Sequence, residues 1–354
     1  VGRLVGLLFV LGVLGAGVGA GVVWTFANQP ASPNARDVVV DVRSGSVHSV
    51  AKLLSGKGLI SSPELFIWLV RMKGASSRIR AGEFQFNMAM TPLEVLTVLI
   101  EGKAVLHPVT VKEGDSIFEV AATIEKLGLG EAEEFLKLAR SPEDVKALIG
   151  IEAESIEGYL FPETYNFVRD TSMKTIISTM TDMFKKRYAE LGPQAKKSRL
   201  SRHEQVILAS MIEKETGAPE ERPMIASVFF NRLAKKMKLQ SDPTIMYGLQ
   251  YDMGIEVTNI TREHLRWENR FSTYSTPALP AGPIGSPGLE ALRAVLNPAT
   301  SDYLFFVSKN DGTHSFSATL GGHNAAVKEF QLDRKAREGK SWRDRLKNEK
   351  PKPL

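Results

Sequence analysis

Two carboxylates, Glu213 and Glu215, flank Lys214 at the end of an apolar run, Val206-Ile-Leu-Ala-Ser-Met-Ile212. Glutamates so placed could do general acid–base chemistry. Partial burial disfavours the charged form of a carboxyl, and one still protonated near neutral pH can donate to a leaving oxygen such as that of a glycosidic bond. Counting back four and seven residues sets Glu213 over Ala209 and Val206, and Glu215 over Met211 and Leu208. Helical periodicity therefore brings either carboxyl to the core side and leaves open which is the acid. Taken alone, a Glu-Lys-Glu at a helix end is by default a solvated cap. Other chemistries lack their residues. The six histidines form no H-E-x-x-H pair, and neither a G-x-x-x-x-G-K-[ST] loop nor a G-x-S-x-G elbow is present, so no metal or other cofactor is expected. With no cysteine there are no disulfides, thiolate nucleophiles or Cys-bound zinc, a usage that suits an oxidising compartment.

The elements that must position these carboxylates can be read around them. Ser201-Arg-His-Glu204 has the S-x-x-E form of a capping box, so a helix starts at Ser201, runs through Glu215 and ends near Gly217, with Pro219 beyond. A second helix is predicted over Glu220–Lys236, acidic in its first turn and basic in its last, with Ile225, Val228, Phe229 and Leu233 on its inner face. Asp242 before Pro243 suits an N-cap with proline at the first helical position. Upstream, Ile176, Ile177, Met180, Met183 and Phe184 form one stripe of a helix over Ser172–Leu191, and Glu157–Tyr165 is an aromatic-rich strand or turn.

Before that lies a duplication. Val40-x-Val42, Gly45 and Val50-Ala51 are echoed by Val109-x-Val111, Gly114 and Val120-Ala121, so each copy should start strand, glycine turn, helix. The second copy, Val109-Thr-Val-Lys-Glu-Gly-Asp-Ser-Ile117, resembles the start of a LysM module, a small βααβ fold associated with N-acetylglucosamine-containing glycans; a spacer role is equally open. Leu4–Phe26 is an uncharged run of apolar or small residues long enough to span a bilayer as one helix, longer than a signal-peptide core and without an A-x-A-like cleavage site. The fold class expected is α+β: an anchor at 1–27, a linker at 28–37, strand-helix modules at 38–105 and 106–170, a mainly helical catalytic domain with short strands at 171–330, and a basic tail at 331–354. That tail holds nine Lys/Arg against four Asp/Glu, which accounts for the whole net charge of +5 and leaves no basic stripe for nucleic acid elsewhere.

Five stretches, in order, resemble the YceG-like, or MltG, endolytic murein transglycosylase family. They are Ile207–Thr216, Ala226–Leu233, Leu239–Thr244, Leu279–Ile284 and His314–Ser317. With the anchor and the Val109 repeat, the resemblance covers nearly the whole chain except the tail. It implies that the first glutamate of Glu-Lys-Glu-Thr, Glu213, is catalytic, acting as acid and then base to cut the MurNAc-β-1,4-GlcNAc bond and leave 1,6-anhydroMurNAc ends, with no metal and no cofactor. On that reading Gln240, Ser241, Asp242, Thr244 and Tyr274 hold the substrate. The enzyme would sit in the cytoplasmic (inner) membrane by its single helix, facing the periplasmic or extracytoplasmic side, beside peptidoglycan polymerases. Two departures stand out: Phe271-Ser272-Thr273-Tyr274 replaces the usual Tyr-Asn-Thr-Tyr, and Ala278-Leu-Pro-Ala281-Gly-Pro-Ile replaces Gly-Leu-Pro-Pro-Gly-Pro-Ile, so one amide contact to substrate is in doubt. Alternatives are a muramidase using a second carboxylate, Glu215 or Asp242, and a non-catalytic glycan-binding envelope scaffold.

Overall fold

The computed structural model describes residues 17–43 and 45–333. Most of the expected anchor and nearly all of the basic tail lie outside them. Residues 17–28 are helical, and among the described residues no helix is long and apolar enough to cross a membrane. The chain divides into two compact units, 1–108 with 166–171, and 109–165 with 172–354. Among the described residues helices predominate, and the strands form three separate two-stranded sheets, none of them closed.

In the first unit, β1 (Asp37–Val42) pairs antiparallel with β2 (Gly82–Asn87), Asp37 opposite Asn87 and Val42 opposite Gly82. Alternation in β1 turns Val40 and Val42 inward. Between the strands run α1 (Val47–Gly56) and α2 (Pro63–Met72), and α3 (Pro92–Glu101) follows β2. Each helix begins where a hydroxyl can satisfy a free amide: Ser46 accepts from Ser49 N, Ser62 from Leu65 N, and Thr91 closes a reciprocal capping box with Glu94. Leu54, Phe66, Phe84, Phe86 and Leu96 fill the core, which Val23, Phe26 and Ala27 join. At its edge Glu83 is bound by His107 and, at 3.2 Å, by Arg169. Burial alone would raise the Glu83 carboxyl, but these hydrogen bonds hold it below the usual range.

The second unit takes up the second copy of the repeat. After β3 (His107–Val111) come α4 (Ile117–Lys126), α5 (Ala132–Arg140) and α6 (Pro142–Ile149), and then β4 (Glu163–Phe167) pairs with β3. Helix α4 opens with a capping box, Ser116 with Glu119, and a second acceptor reaches it from afar: Ile117 N donates to Glu157 Oε2 at 2.9 Å. Glu157 is 1% exposed, and that burial pushes its carboxyl up to about 7.

The helical half follows as α7 (Met173–Ala189), α8 (Gly192–Lys197), α9 (Arg202–Glu215), α10 (Arg222–Ala234), α11 (Asp242–Met253) and α12 (Leu289–Leu296). The antiparallel pair β5 (Phe305–Ser308) and β6 (His314–Ser317) and then α13 (Leu320–Val327) complete it. Helix α9 is its axis, packed by α10, α11 and α12. The stretch Gln205–Ile212 is buried on every side rather than along one stripe. Val206, Leu208, Met211 and Ile212 are fully buried, each worth about 1.5–3 kcal/mol. The predicted capping box holds: Ser201 accepts from Glu204 N while Glu204 accepts from Ser201 N. Helix α9 runs through Glu215 as expected, but its end is not a left-handed glycine: Thr216 is extended, its hydroxyl accepts from Ala218 N at 2.9 Å, and Gly217 is not among the positive-φ glycines. The second expected helix is split, a short 3-10 turn at Pro219–Glu221 preceding α10.

Candidate active site

Helix α9 delivers Glu213 in its last turn to a junction of three chain segments. The side chain is 4% exposed. Its Oε1 accepts from Arg222 Nη2 on α10 at 2.5 Å, and its Oε2 accepts from the Gly288 amide at 2.9 Å. Gly288 is the N-cap of α12, so the second bond lies at the positive end of a helix. The same Arg222 Nη2 donates to Glu113 Oε2 at 3.0 Å, from the turn between β3 and α4. One guanidinium nitrogen thus bridges two carboxylates. Burial pushes the Glu213 carboxyl up; the Gly288 amide and Arg222 pull it back without cancelling the rise, and the charge of Glu113 adds to it.

Glycines make this junction possible. Gly114 N donates to Ser286 O, and Ser286 N to Asp115 O, both at 2.8 Å, so the β3–α4 turn is laced to the loop that precedes α12. A Cβ on Gly285 would come within 2.6 Å of Gly114 O, and one on Gly288 would collide with the Glu113 carboxylate. Gly114 itself adopts φ +82°, a conformation that side chains disfavour. Deeper in, Ser210 accepts from Ile284 N at 3.0 Å and ties the loop to α9.

Glu215 lies in a different network. Its Oε1 accepts from Ser241 Oγ at 2.5 Å, and burial, reinforced by the charge of Asp242, pushes it up to about 7 despite Arg232. Arg232 is itself committed to backbone, donating to Leu304 O at 2.6 Å and Leu239 O at 2.7 Å. Glu215 therefore serves a buried frame, whereas Glu213 meets the loops.

The five expected substrate residues gather in one seam between the start of α11 and the 272–274 loop. Ser241 and Thr244 are buried; Thr244 Oγ1 donates to Ser241 O at 2.6 Å and meets Thr273 Oγ1 at 3.0 Å. Gln240, exposed and at φ +51°, donates its amide to Thr273 O. Asp242 is exposed and accepts from Tyr274 OH at 2.5 Å. Asp242 is not the N-cap that its place before Pro243 suggested: it is the first residue of α11, Ser241 occupies the cap position, and neither side chain caps the helix. Ser272 is buried and accepts from Tyr274 N. Asn231 donates to Ser301 O and Tyr303 O, and His314 pairs with Glu221, so both are structural.

A hollow of about 300 Å³ opens beside Lys214, lined by Ser116, Glu119, Tyr247, Gln250 and Ile284 among others. A larger one, about 1130 Å³, lies among α7, α8 and the start of α9, at the far end of that helix from Glu213. Sequence reasoning passed over Glu113, Arg222 and the Gly288 amide. Glu113 did carry a signal, standing next to the glycine that the repeat marks; Arg222 and Gly288 had none of their own.

A model of the YceG-like family matches residues 40–329. The "Endolytic murein transglycosylase" of Bacillus subtilis (strain 168) is 31% identical over 319 residues, 85% of this chain and 87% of that protein. Two proteins of the same name from Streptococcus pneumoniae are each 28% identical over 307 residues, which is 77% of this chain and 54% of theirs. The crystal structure of a yceG-like protein from Listeria monocytogenes aligns with a TM-score of 0.58 at 30% identity, covering 82% of this chain and 99% of that one.

Proposed function

The chain belongs to the YceG-like family, and from that membership we propose that it is an endolytic murein transglycosylase that cuts peptidoglycan glycan strands with Glu213 as acid and base. The observation that carries this reading is the Glu213 carboxyl: buried, raised, and set where α9 meets two glycine loops. Protonated, it gives its proton to the oxygen leaving C1 of MurNAc as that bond breaks. Ionised, it takes the proton from the 6-hydroxyl of the same sugar, whose oxygen closes on C1. The product is a 1,6-anhydroMurNAc end, and no water is consumed. Gln240, Asp242 and Tyr274 contact the glycan from the exposed side of their seam, while Ser241 and Thr244 hold that seam in shape.

The order β1–α1–α2–β2 supports a LysM-like origin for the first module, and the second, β3–α4–α5–α6–β4, differs from it by one added helix. The run Leu4–Phe26 supports a single-pass anchor in the cytoplasmic membrane, with the enzyme on the extracytoplasmic side near the glycan polymerases. A second reading draws on Glu113, a further carboxylate held by the same arginine: a muramidase would use such a pair to activate water or to form a glycosyl intermediate.

Mass spectrometry of the fragments released from purified peptidoglycan by the full chain tests these readings. Anhydromuramic ends that fall by at least about 10²-fold in Glu213→Gln are expected. Reducing MurNAc ends would replace the transglycosylase by the hydrolase, and absence of cutting by the unaltered chain would leave a glycan-binding scaffold.

A further inference from the structure

Glu113 belongs to the strand-helix repeat rather than to the helical half, yet it reaches the same guanidinium nitrogen as Glu213, 3.0 Å from Arg222 Nη2. Its position is closely fixed. The backbone of the two residues that follow it, Gly114 and Asp115, is bonded to Ser286, and the space beside its carboxylate is kept open by the missing side chain of Gly288. Arg222 is 6% exposed, and its Nε has no hydrogen-bond partner among the described residues, so the arginine commits a single nitrogen to two acceptors and keeps a donor in reserve. Glu113 is the more exposed acceptor, its side chain 48% accessible against 4% for Glu213.

We propose that Glu113 is a positioning residue that competes with Glu213 for Arg222, drawing the guanidinium off the catalytic carboxyl so that Glu213 can carry its proton to the substrate. This rests on Glu213 being the acid. With Glu113 neutralised, Arg222 has one anionic partner and holds Glu213 ionised; with both carboxylates present the positive charge is divided. The groups facing Glu213 are few. Arg222 comes from α10, Glu113 from the β3–α4 turn and the Gly288 amide from the start of α12. Lys214 leans 3.9 Å from Glu119 on α4, and Asp242 on α11 acts on Glu215. Asp115, in the same turn as Glu113, is also raised by burial, and it accepts from Lys112 N at 2.8 Å.

The test is the pH profile of strand cutting by the full chain, with Glu113→Gln, Glu113→Asp and Glu213→Gln side by side and thermal melts of each. Removing the Glu113 charge lowers the proton affinity of Glu213, so the alkaline limb should move to lower pH. The expected result is roughly a three- to tenfold loss of kcat/KM on the alkaline side with little loss on the acid side, an unchanged melting temperature, and a profile restored toward the original in Glu113→Asp. A Glu113→Gln profile that superimposes on the original, or a loss uniform across pH with a lowered melting temperature, would overturn the proposal. So would abolition at every pH together with reducing ends from the unaltered chain, since Glu113 would then be a reacting group. Continued cutting by Glu213→Gln would instead overturn the assignment of the acid, which separates the two failures.

Discussion

The two copies of the strand-turn-helix pattern part company at their turns. In the first, Gly45 lies outside the left-handed region, a Cβ on it would meet its own helix at Ser49 Oγ, 2.8 Å away, and the next helix is capped by Ser46 alone. The nearby charges, Arg43 and Asp41, pair with each other at 3.4 Å in solvent. In the second, Gly114 is left-handed, an extra residue, Asp115, separates it from the cap Ser116, a Cβ on Gly114 would touch Lys214 and Glu213, and Glu113 reaches Arg222. A single inserted residue and an acidic neighbour turn a local connection into part of the candidate site. A repeated sequence pattern thus predicts the shape of a segment better than its duty.

The sharpest way to break this comparison is a matched pair of glycine substitutions. Gly114→Ala forces a side chain into a left-handed residue and shifts the turn, and strand cutting should fall by about 10²-fold. Gly45→Ala needs only a rotation of Ser49 and should stay within about twofold; equal losses in the two would erase the distinction.

The buried carboxylates of the two regions give a subtler contrast, since burial and bonding drive them in opposite directions. Glu157 binds protons more tightly folded than unfolded, so its contribution to stability declines as pH rises from the ordinary carboxylate range to about 7 and is flat above. Melts of Glu157→Gln should show about 2–3 kcal/mol of gain over the unaltered chain at pH 8 that disappears near pH 5. Some slope should survive, because Glu215 is raised in the same way. Glu83 has the opposite sign: its stabilisation is present above the unfolded carboxylate pKa and is lost as pH falls through its lower folded value. Urea unfolding of Glu83→Gln at pH 7 should show a loss of about 1–2 kcal/mol, while the pH profile of cutting stays in place.

Helices were legible where local chemistry decides them. The Ser201/Glu204 box, the Ser172 start of α7 and the glycine-marked turns of both repeats are contained in a few adjacent residues, and the structure agrees with them. Boundaries set by distant partners were not. Ser241 sends its hydroxyl to Glu215, 26 residues away in sequence, instead of to an α11 amide. The same holds for the candidate site. Periodicity placed Glu213 and Glu215 equally, and what separates them is the identity of the groups folded against each. Arg222 and Gly288 carry no motif that marks them; their importance arises from where α10 and α12 begin.

The bonds around Glu213 also bear on when the chain can become active. Gly288 lies 75 residues beyond Glu213, so that contact does not exist in a chain released only as far as α9 or α10. Contacts of such separation form late, after the loops between them have closed. Until then Glu213 is a hydrated glutamate with an ordinary acidity and no loop behind it. With Glu213 in its proposed role, a polypeptide still emerging, or one whose helical half has come apart, would lack the means to cut the wall, and completion of the fold would act as the safety catch on a hazardous activity.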